Sequence, residues 1–361
     1  MVALRVGFDT GPLHGPRTGI GHAVEALQRA LAARDDVDVV PYLVSFRAEV
    51  EPPTVRLPLP AALAHRLWRH TAHPRVDRWL RDTDVIHGTN YVVPPTKKPS
   101  VVSVYDCWFL RHPDQAGASV RRAGAVLRAA VDRGAVVHAS SDATADAVRE
   151  LMPAADVHTI HLAALDLPPA ADAAPTPEIG DHPFVVAIGT LERRKNLPRL
   201  VEGFGRIAAD HPDLRLVIAG PDGDDADATR AAVDNLTTDV AARVLFTGHV
   251  DRATRAWLLR NATLVAYPSL DEGFGFPLLD AMRAEVPVVA ASAGSIPEVA
   301  GGAALLCDPL DVDSIAGALD RALRDESVRT SLIEAGRTRW REFSWERTAG
   351  EMLDLYRRIA V

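Results

Sequence analysis

Apolar, β-branched runs alternate with alanine- and leucine-rich helical stretches, twice over, on either side of one proline-rich break. This pattern constrains the fold more than any other feature. Runs at 4–8, 37–44, 84–87, 101–105, 135–139 and 157–162 read as strands, and so do 184–189, 214–219, 244–247, 264–267, 286–290 and 304–307. Their hydrophobicity is continuous rather than alternating, as expected of parallel strands with helices on both faces. Between the two series lies Asp166-Leu-Pro-Pro-Ala-Ala-Asp-Ala-Ala-Pro-Thr-Pro-Glu178, a linker by composition. The expected fold class is α/β, with two Rossmann-like doubly wound domains facing each other across a cleft. The expected boundaries are 1–170 and 171–342, with a closing helix over 343–361 capped by Ser344.

Length and charge agree with this division. A chain of 361 residues exceeds one ordinary core. It is 47% hydrophobic and 24% charged, and its net charge of −8 disfavours nucleic acid as a partner. Cys107 and Cys307 match no disulfide or metal framework, and the amino-terminal segment reads as a strand, not a signal sequence. A reduced cytoplasmic setting is therefore expected. No apolar run is long enough to span a membrane. The basic stretch 65–81, with Trp68 and Trp79 among its arginines, reads first as two packed helix ends with arginines reaching into water. Its alternative is a contact for the anionic inner face of a membrane.

Chemistry concentrates after particular strands. Tyr267-Pro-Ser-Leu-Asp-Glu-Gly-Phe-Gly-Phe-Pro-Leu-Leu-Asp280 runs from a buried strand through a glycine loop into a helix opening near Pro277. Free N–H groups and the positive helix end suit a phosphate there. Glu272 and Asp280 suit the hydroxyls of a sugar or ribose. Arg194 and Lys195 follow the first strand of the second half, where paired cations can hold a diphosphate. Only three of the 40 basic residues are lysines, which gives Lys195 added weight. In the first half, Gly19 and Gly21 open the backbone to a ligand, although Val24 breaks the dinucleotide fingerprint. His87, Asn90, Tyr105 and Asp106 stand just past strands and are read as facing the cleft, with loop capping as the alternative for each. The acids Asp222, Asp224 and Asp225 read as a solvated turn rather than a calcium loop. Ser295 and Glu298 read as a helix cap and a first-turn acid.

Gly-Thr-Leu-Glu-Arg-Arg-Lys-Asn196, Glu-Gly-Phe-Gly-Phe-Pro-Leu-Leu-Asp-Ala-Met282, Pro-Val-Val-Ala290 and Pro-Glu-Val299, in this order, resemble family 4 retaining glycosyltransferases. The resemblance covers nearly the whole chain, from Thr18-Gly-Ile-Gly21 to the closing Phe-Ser-Trp345. It implies a GT-B fold, no metal and no cofactor, with a nucleoside-diphosphate sugar as co-substrate. It implies transfer of a hexosyl group, with mannose the family-weighted choice, to a glycan, lipid-linked or small-molecule acceptor with retention. Arg194 and Lys195 then match the diphosphate ligands, and Gly19 and Gly21 the loop that closes over the phosphates. Glu272 matches the acid near the donor sugar, with Gly273, Phe274, Gly275 and Phe276 contacting sugar and phosphate. Asp280 stands where a second glutamate binds ribose, one methylene short. Tyr105, beside Asp106, replaces the usual histidine and is a poor base at neutral pH. His87 and Asn90 are the candidate acceptor contacts. Two alternatives stay open: a binding module that no longer transfers, and a GT-B epimerase acting on the nucleotide sugar.

Overall fold

The computed structural model describes residues 3–15 and 19–360. The chain divides into unit 1, residues 1–163 with 343–361, and unit 2, residues 164–342. Unit 1 holds β1 (Leu4–Asp9), β2 (Val37–Val44), β3 (Val55–Leu57), β4 (Val85–Gly88), β5 (Ser100–Val104), β6 (Val136–Ala139) and β7 (Val157–Thr159). They form one sheet in the order β3-β2-β1-β4-β5-β6-β7, and every pairing is parallel. Unit 2 holds β8 (Phe184–Ile188), β9 (Arg215–Ala219), β10 (Val244–Gly248), β11 (Leu264–Tyr267), β12 (Val288–Ala291) and β13 (Leu305–Cys307), in the parallel order β10-β9-β8-β11-β12-β13. The strand order reverses between β1 and β4 in one sheet and between β8 and β11 in the other. Ligands of doubly wound sheets bind at the carboxyl ends of strands at such points.

All twelve expected strands form. β3 escapes the pattern because it is three residues long and flanked by Pro52, Pro53 and Pro58, which mark an edge. The boundary between units falls at 163/164 rather than 170/171. Arginines of unit 2 hold the linker's carbonyls: Arg283 donates to Leu165, Arg252 to Asp166 and Arg260 to Pro168, at 3.0, 2.7 and 3.1 Å. The basic stretch is one helix, Ala61–Trp68, followed by irregular chain, not two helix ends. Trp68 is fully buried and donates to the Pro74 carbonyl at 3.1 Å, while Arg78 stacks 3.7 Å over Trp79.

The core of unit 1 is completed from the far end of the sequence. The helix Trp345–Ile359, capped by the Ser344 hydroxyl, packs against the helix Gly19–Ala32 and buries Met352, Leu353 and Tyr356. Tyr356 also closes a buried polar chain. Its hydroxyl lies 2.6 Å from His87 Nδ1, and His87 Nε2 lies 2.8 Å from Ser103 Oγ. Ser103 Oγ lies 2.8 Å from His138 Nδ1, and His138 Nε2 lies 2.9 Å from the Ile160 carbonyl. That carbonyl can only accept, so His138 carries its proton on Nε2 and accepts from Ser103. Ser103 then accepts from His87 Nε2–H, and His87 Nδ1 accepts from Tyr356. Every member is satisfied with both imidazoles neutral, which is the condition under which a buried network stabilises. Burial carries the His87 pKa well below its ordinary value and His138 down to about 4.

Tyr356→Phe leaves His87 Nδ1 without a donor. We expect it to lower stability toward urea by about 1–3 kcal/mol. In the wild type, the unfolded histidines take up protons below their ordinary value of 6.5 while His138 resists until about 4. Stability should therefore fall as pH drops through that window, and unchanged urea midpoints across it would contradict neutral imidazoles in the folded chain.

Candidate functional site

In unit 2, β8 is followed by Gly189 and leads to a short 3-10 turn, Arg193–Lys195, then through Asn196 into the helix Leu197–Ile207. Asn196 takes the left-handed conformation, which asparagine tolerates, and its amide donates to the Pro268 and Pro309 carbonyls at 3.1 and 2.7 Å. β11 ends in Tyr267, and the loop after it turns at Gly275, φ 97°, into the helix Phe276–Arg283. No side chain caps that helix.

These two loops, with the one after β12, meet at Glu272. Its Oε2 accepts from Arg194 at 2.5 Å and its Oε1 from Lys195 at 2.6 Å. Arg194 also donates to the Asp271 carbonyl at 3.2 Å and lies 3.6 Å from Glu192. The Glu272 carbonyl accepts from Ser295 N–H at 3.0 Å. Gly294 permits this approach: at its φ of 54°, a Cβ would lie 2.6 Å from Glu272 N. Lys195 Nζ sits 5.2 Å above the Tyr267 ring. Glu272 is 6% exposed. Burial raises its pKa, but Arg194 and Lys195 outweigh burial and hold it at about 2. Burial works the other way on Lys195 and lowers its pKa, against the pull of Glu272. Arg194 and Lys195 are thus fixed on Glu272, with Glu192 beside Arg194, at the carboxyl end of β8 and the switch point of the sheet.

The remaining unit 2 residues are placed as follows. Gly273, Phe274, Gly275 and Phe276 continue directly from Glu272, and Phe274 and Phe276 meet edge to face at 5.5 Å between ring centres. Asp280 is not presented to a ligand in this structure. It is fully buried, and its Oδ2 pairs with Arg255. The shorter aspartate stays beneath the helix surface, where burial raises its pKa against the Arg255 charge. Ser295 is not a side-chain cap, and its backbone supports Glu272 instead. Asp222 pairs with Arg230 at 2.6 Å and Asp224 accepts from Arg193 N–H at 3.1 Å, as in a structured turn.

In unit 1, Gly19 and Gly21 lie in the first turn of the helix Gly19–Ala32 rather than in the loop before it. Thr18, the start of that motif, lies outside the described residues. His87 is fully buried with both ring nitrogens engaged, so it faces the core and not a ligand. Tyr105 is 7% exposed, and its hydroxyl donates to the Thr89 carbonyl at 2.8 Å. Burial pushes the phenol pKa up, further from use as a base. Asp106 accepts from Trp108 N–H at 3.1 Å and from the Tyr91 hydroxyl at 3.3 Å. Asn90 is half-buried.

A family model described as glycosyl transferases group 1 matches residues 171–339, and one described as glycosyltransferase family 4 matches residues 17–163. The chain belongs to glycosyltransferase family 4. It is a GT-B glycosyltransferase. O-antigen chain mannosyltransferase B of Escherichia coli is 28% identical over 98% of this chain and 100% of that protein. D-inositol 3-phosphate glycosyltransferase of Jonesia denitrificans is 30% identical over 64% of this chain and 58% of its own length. Among solved structures, sucrose-phosphate synthase from Thermosynechococcus elongatus aligns with a TM-score of 0.74 at 21% identity over 99% of each chain. Anabaena HepE in complex with UDP-glucose aligns at 0.72 with 17% identity, over 98% of this chain and 100% of that one. No helix among the described residues of the glycosyltransferase is long and apolar enough to cross a membrane.

Asn196, Gly294 and Tyr267 were not singled out from sequence. Asn196 alone carried a signal, as an asparagine opening a helix after a charged turn. Glu272→Gln removes the charge that two partly buried cations share. We expect it to cost about 3 kcal/mol at neutral pH. Because Glu272 titrates at about 2 when folded and 4.5 when free, the difference from wild type should shrink as pH falls from 4.5 toward 2. Chemical denaturation at a series of pH values checks both.

Proposed function

We propose that the glycosyltransferase moves a hexosyl group, mannosyl first among candidates, from a nucleoside-diphosphate sugar to a hydroxyl of a glycan or lipid-linked acceptor, with retention. The observation that carries this reading is the pairing of Arg194 and Lys195 on one buried carboxylate. A departing diphosphate needs fixed positive charge that does not have to be assembled during the reaction. Two side-chain cations and the uncapped start of the helix Phe276–Arg283 supply it. The bond from the anomeric carbon to the phosphate oxygen breaks, and the bond to the acceptor oxygen forms. The acceptor proton goes to the leaving phosphate, since Tyr105 has its hydroxyl on the Thr89 carbonyl. Glu272 orients the sugar and holds both cations. Neither metal nor organic cofactor has a role in this scheme, and retention is carried over from the family. The mannosyltransferase among the relatives favours mannose. The UDP complexes among its structural neighbours favour a nucleotide sugar.

The burial of Asp280 favours a second reading, a module that binds the nucleotide sugar without transfer. Tight donor binding in calorimetry with neither product nor slow hydrolysis would support it.

We also propose a peripheral contact of the region 65–81 and its helix with anionic lipid in a cytoplasmic setting. Leu63 and Leu67, 51% and 41% exposed, stand one turn apart beside the exposed Arg66 and Arg69. Sedimentation with phosphatidylglycerol vesicles should retain the wild type and lose the Arg66→Glu/Arg69→Glu variant; equal retention of both would remove this contact.

Lys195→Ala and Arg194→Ala should each lower donor turnover by about a hundredfold or more. They should also abolish the rise in melting temperature that nucleoside diphosphates and their sugars give the wild type. Near-wild-type turnover in both would sink the phosphate assignment.

A further inference from the structure

The carboxyl end of β1 carries an acid that the scheme above does not use. Asp9 is half-buried at the switch point of the unit 1 sheet, between β2 and β4. Its Oδ1 accepts from Gly11 N–H at 2.9 Å, and no other hydrogen bond or ion pair holds the carboxylate among the described residues. Its charge raises the pKa of the Tyr42 and Tyr105 phenols. An acid drawn even partly out of water gains from a partner, because removing its charge from water is costly. Asp9 accordingly rises to about 7, driven by burial and opposed by the Gly11 hydrogen bond.

The loop after β4 adjoins it. Thr89 donates its hydroxyl to the Asp9 carbonyl at 2.8 Å. The next residue, Asn90, has its buried side-chain oxygen without a hydrogen-bond partner. After it, Tyr91 is held at φ 57°, a conformation a bulky residue adopts at a cost. Gly11 keeps the other side clear: a Cβ there would stand 3.1 and 3.7 Å from the two Asp9 oxygens. An acid with one hydrogen bond, an amide with an orphaned oxygen and a turn at positive φ thus lie on the loops after β1 and β4, the two strands that flank the switch point. Strain and unpaired polar groups of this kind collect where a ligand completes them.

We propose that Asp9 and Asn90 form a subsite for a neutral polyol, in which Asp9 accepts a hydroxyl of the ligand; as the acceptor subsite it rests on the transferase reading above. The chemistry of the pair selects this class. An anion would be repelled by Asp9, and an apolar group would leave both polar atoms unpaired. Neighbouring hydroxyls supply a donor to the carboxylate, and both a donor and an acceptor to the amide. Because the charged form is the hydroxyl acceptor, affinity should be greater above neutrality and fall as Asp9 takes up a proton.

Asp9→Asn keeps the acceptor for Gly11 N–H and removes the charge. Since the folded pKa lies above the ordinary 3.8, the charged acid opposes folding above about 7, and its loss should raise the melting temperature at about pH 8 by a few degrees. A merely structural residue would lower it. The full chain is titrated with methyl α-D-mannopyranoside at about pH 6 and pH 8 and followed by NMR. The wild type should bind more tightly at the higher pH, and Asp9→Asn should bind roughly tenfold more weakly there and lose the pH dependence. Equal affinity in the variant, pH-independent affinity in the wild type, or no saturable response to the mannoside would each overturn the proposal. Thermal shift with nucleotide sugars separates the two readings: Asp9→Asn should keep it. If the wild type lacks that shift but binds the mannoside through Asp9, the donor assignment fails and the subsite stands.

Discussion

The carboxylate of Glu272 is the constraint on which the unit 2 site depends. The loop after β11 carries it; the loop after β8 reaches the carboxylate through Arg194 and Lys195, and the loop after β12 holds the Glu272 carbonyl through Ser295 N–H. Burying one acid with two bases is costly in desolvation, and only close geometry repays it. Here both carboxylate oxygens are engaged, so neither cation is left to find a partner in water. The same arrangement holds the cations in place before any ligand arrives. An incoming diphosphate would meet charges already oriented, and would share them with Glu272 rather than gather them from solvent.

The two units repeat one topology with opposite polar chemistry. At the switch point of unit 2 two cations are bound to a buried carboxylate. At that of unit 1 a carboxylate and an amide stand with few partners. A sheet of this kind supplies a place for a ligand, and the loops decide its sign. Arginine also has a purely mechanical use in this chain. Arg252, Arg260 and Arg283 hold linker carbonyls, which turns a stretch of flexible composition into an ordered strap on unit 2.

Most of the fold was legible because strands buried on both faces print continuous apolar runs, as at β5 and β11. The short edge strand β3 was hidden by its prolines. The Arg194, Lys195 and Glu272 set was legible too, since each follows a strand at a loop rich in glycine or charge. Side-chain direction was not. His87 and Asp280 are polar residues near strand or helix ends, and the sequence pattern reads such residues as facing a ligand. His87 instead faces the core, where Tyr356 arrives from the far end of the chain, and Asp280 is buried in an ion pair with Arg255. Such partners are long-range in sequence and leave no local signature. Asp9 was passed over for the opposite reason: an acid ending a strand is common, and only its lack of a partner makes it unusual.

The buried chain from Tyr356 to the Ile160 carbonyl has a direction. Each hydroxyl and imidazole donates toward Ile160 and accepts from the side of Tyr356. A proton added to either histidine turns an acceptor into a second donor, and the hydroxyl facing it must then turn its own proton out of the chain. The four side chains, drawn from three strands and the last helix, therefore behave as one all-or-none unit. Substitutions along it should be tolerated only in concert, so a homologue that loses the tyrosine would be expected to have lost the histidine facing it.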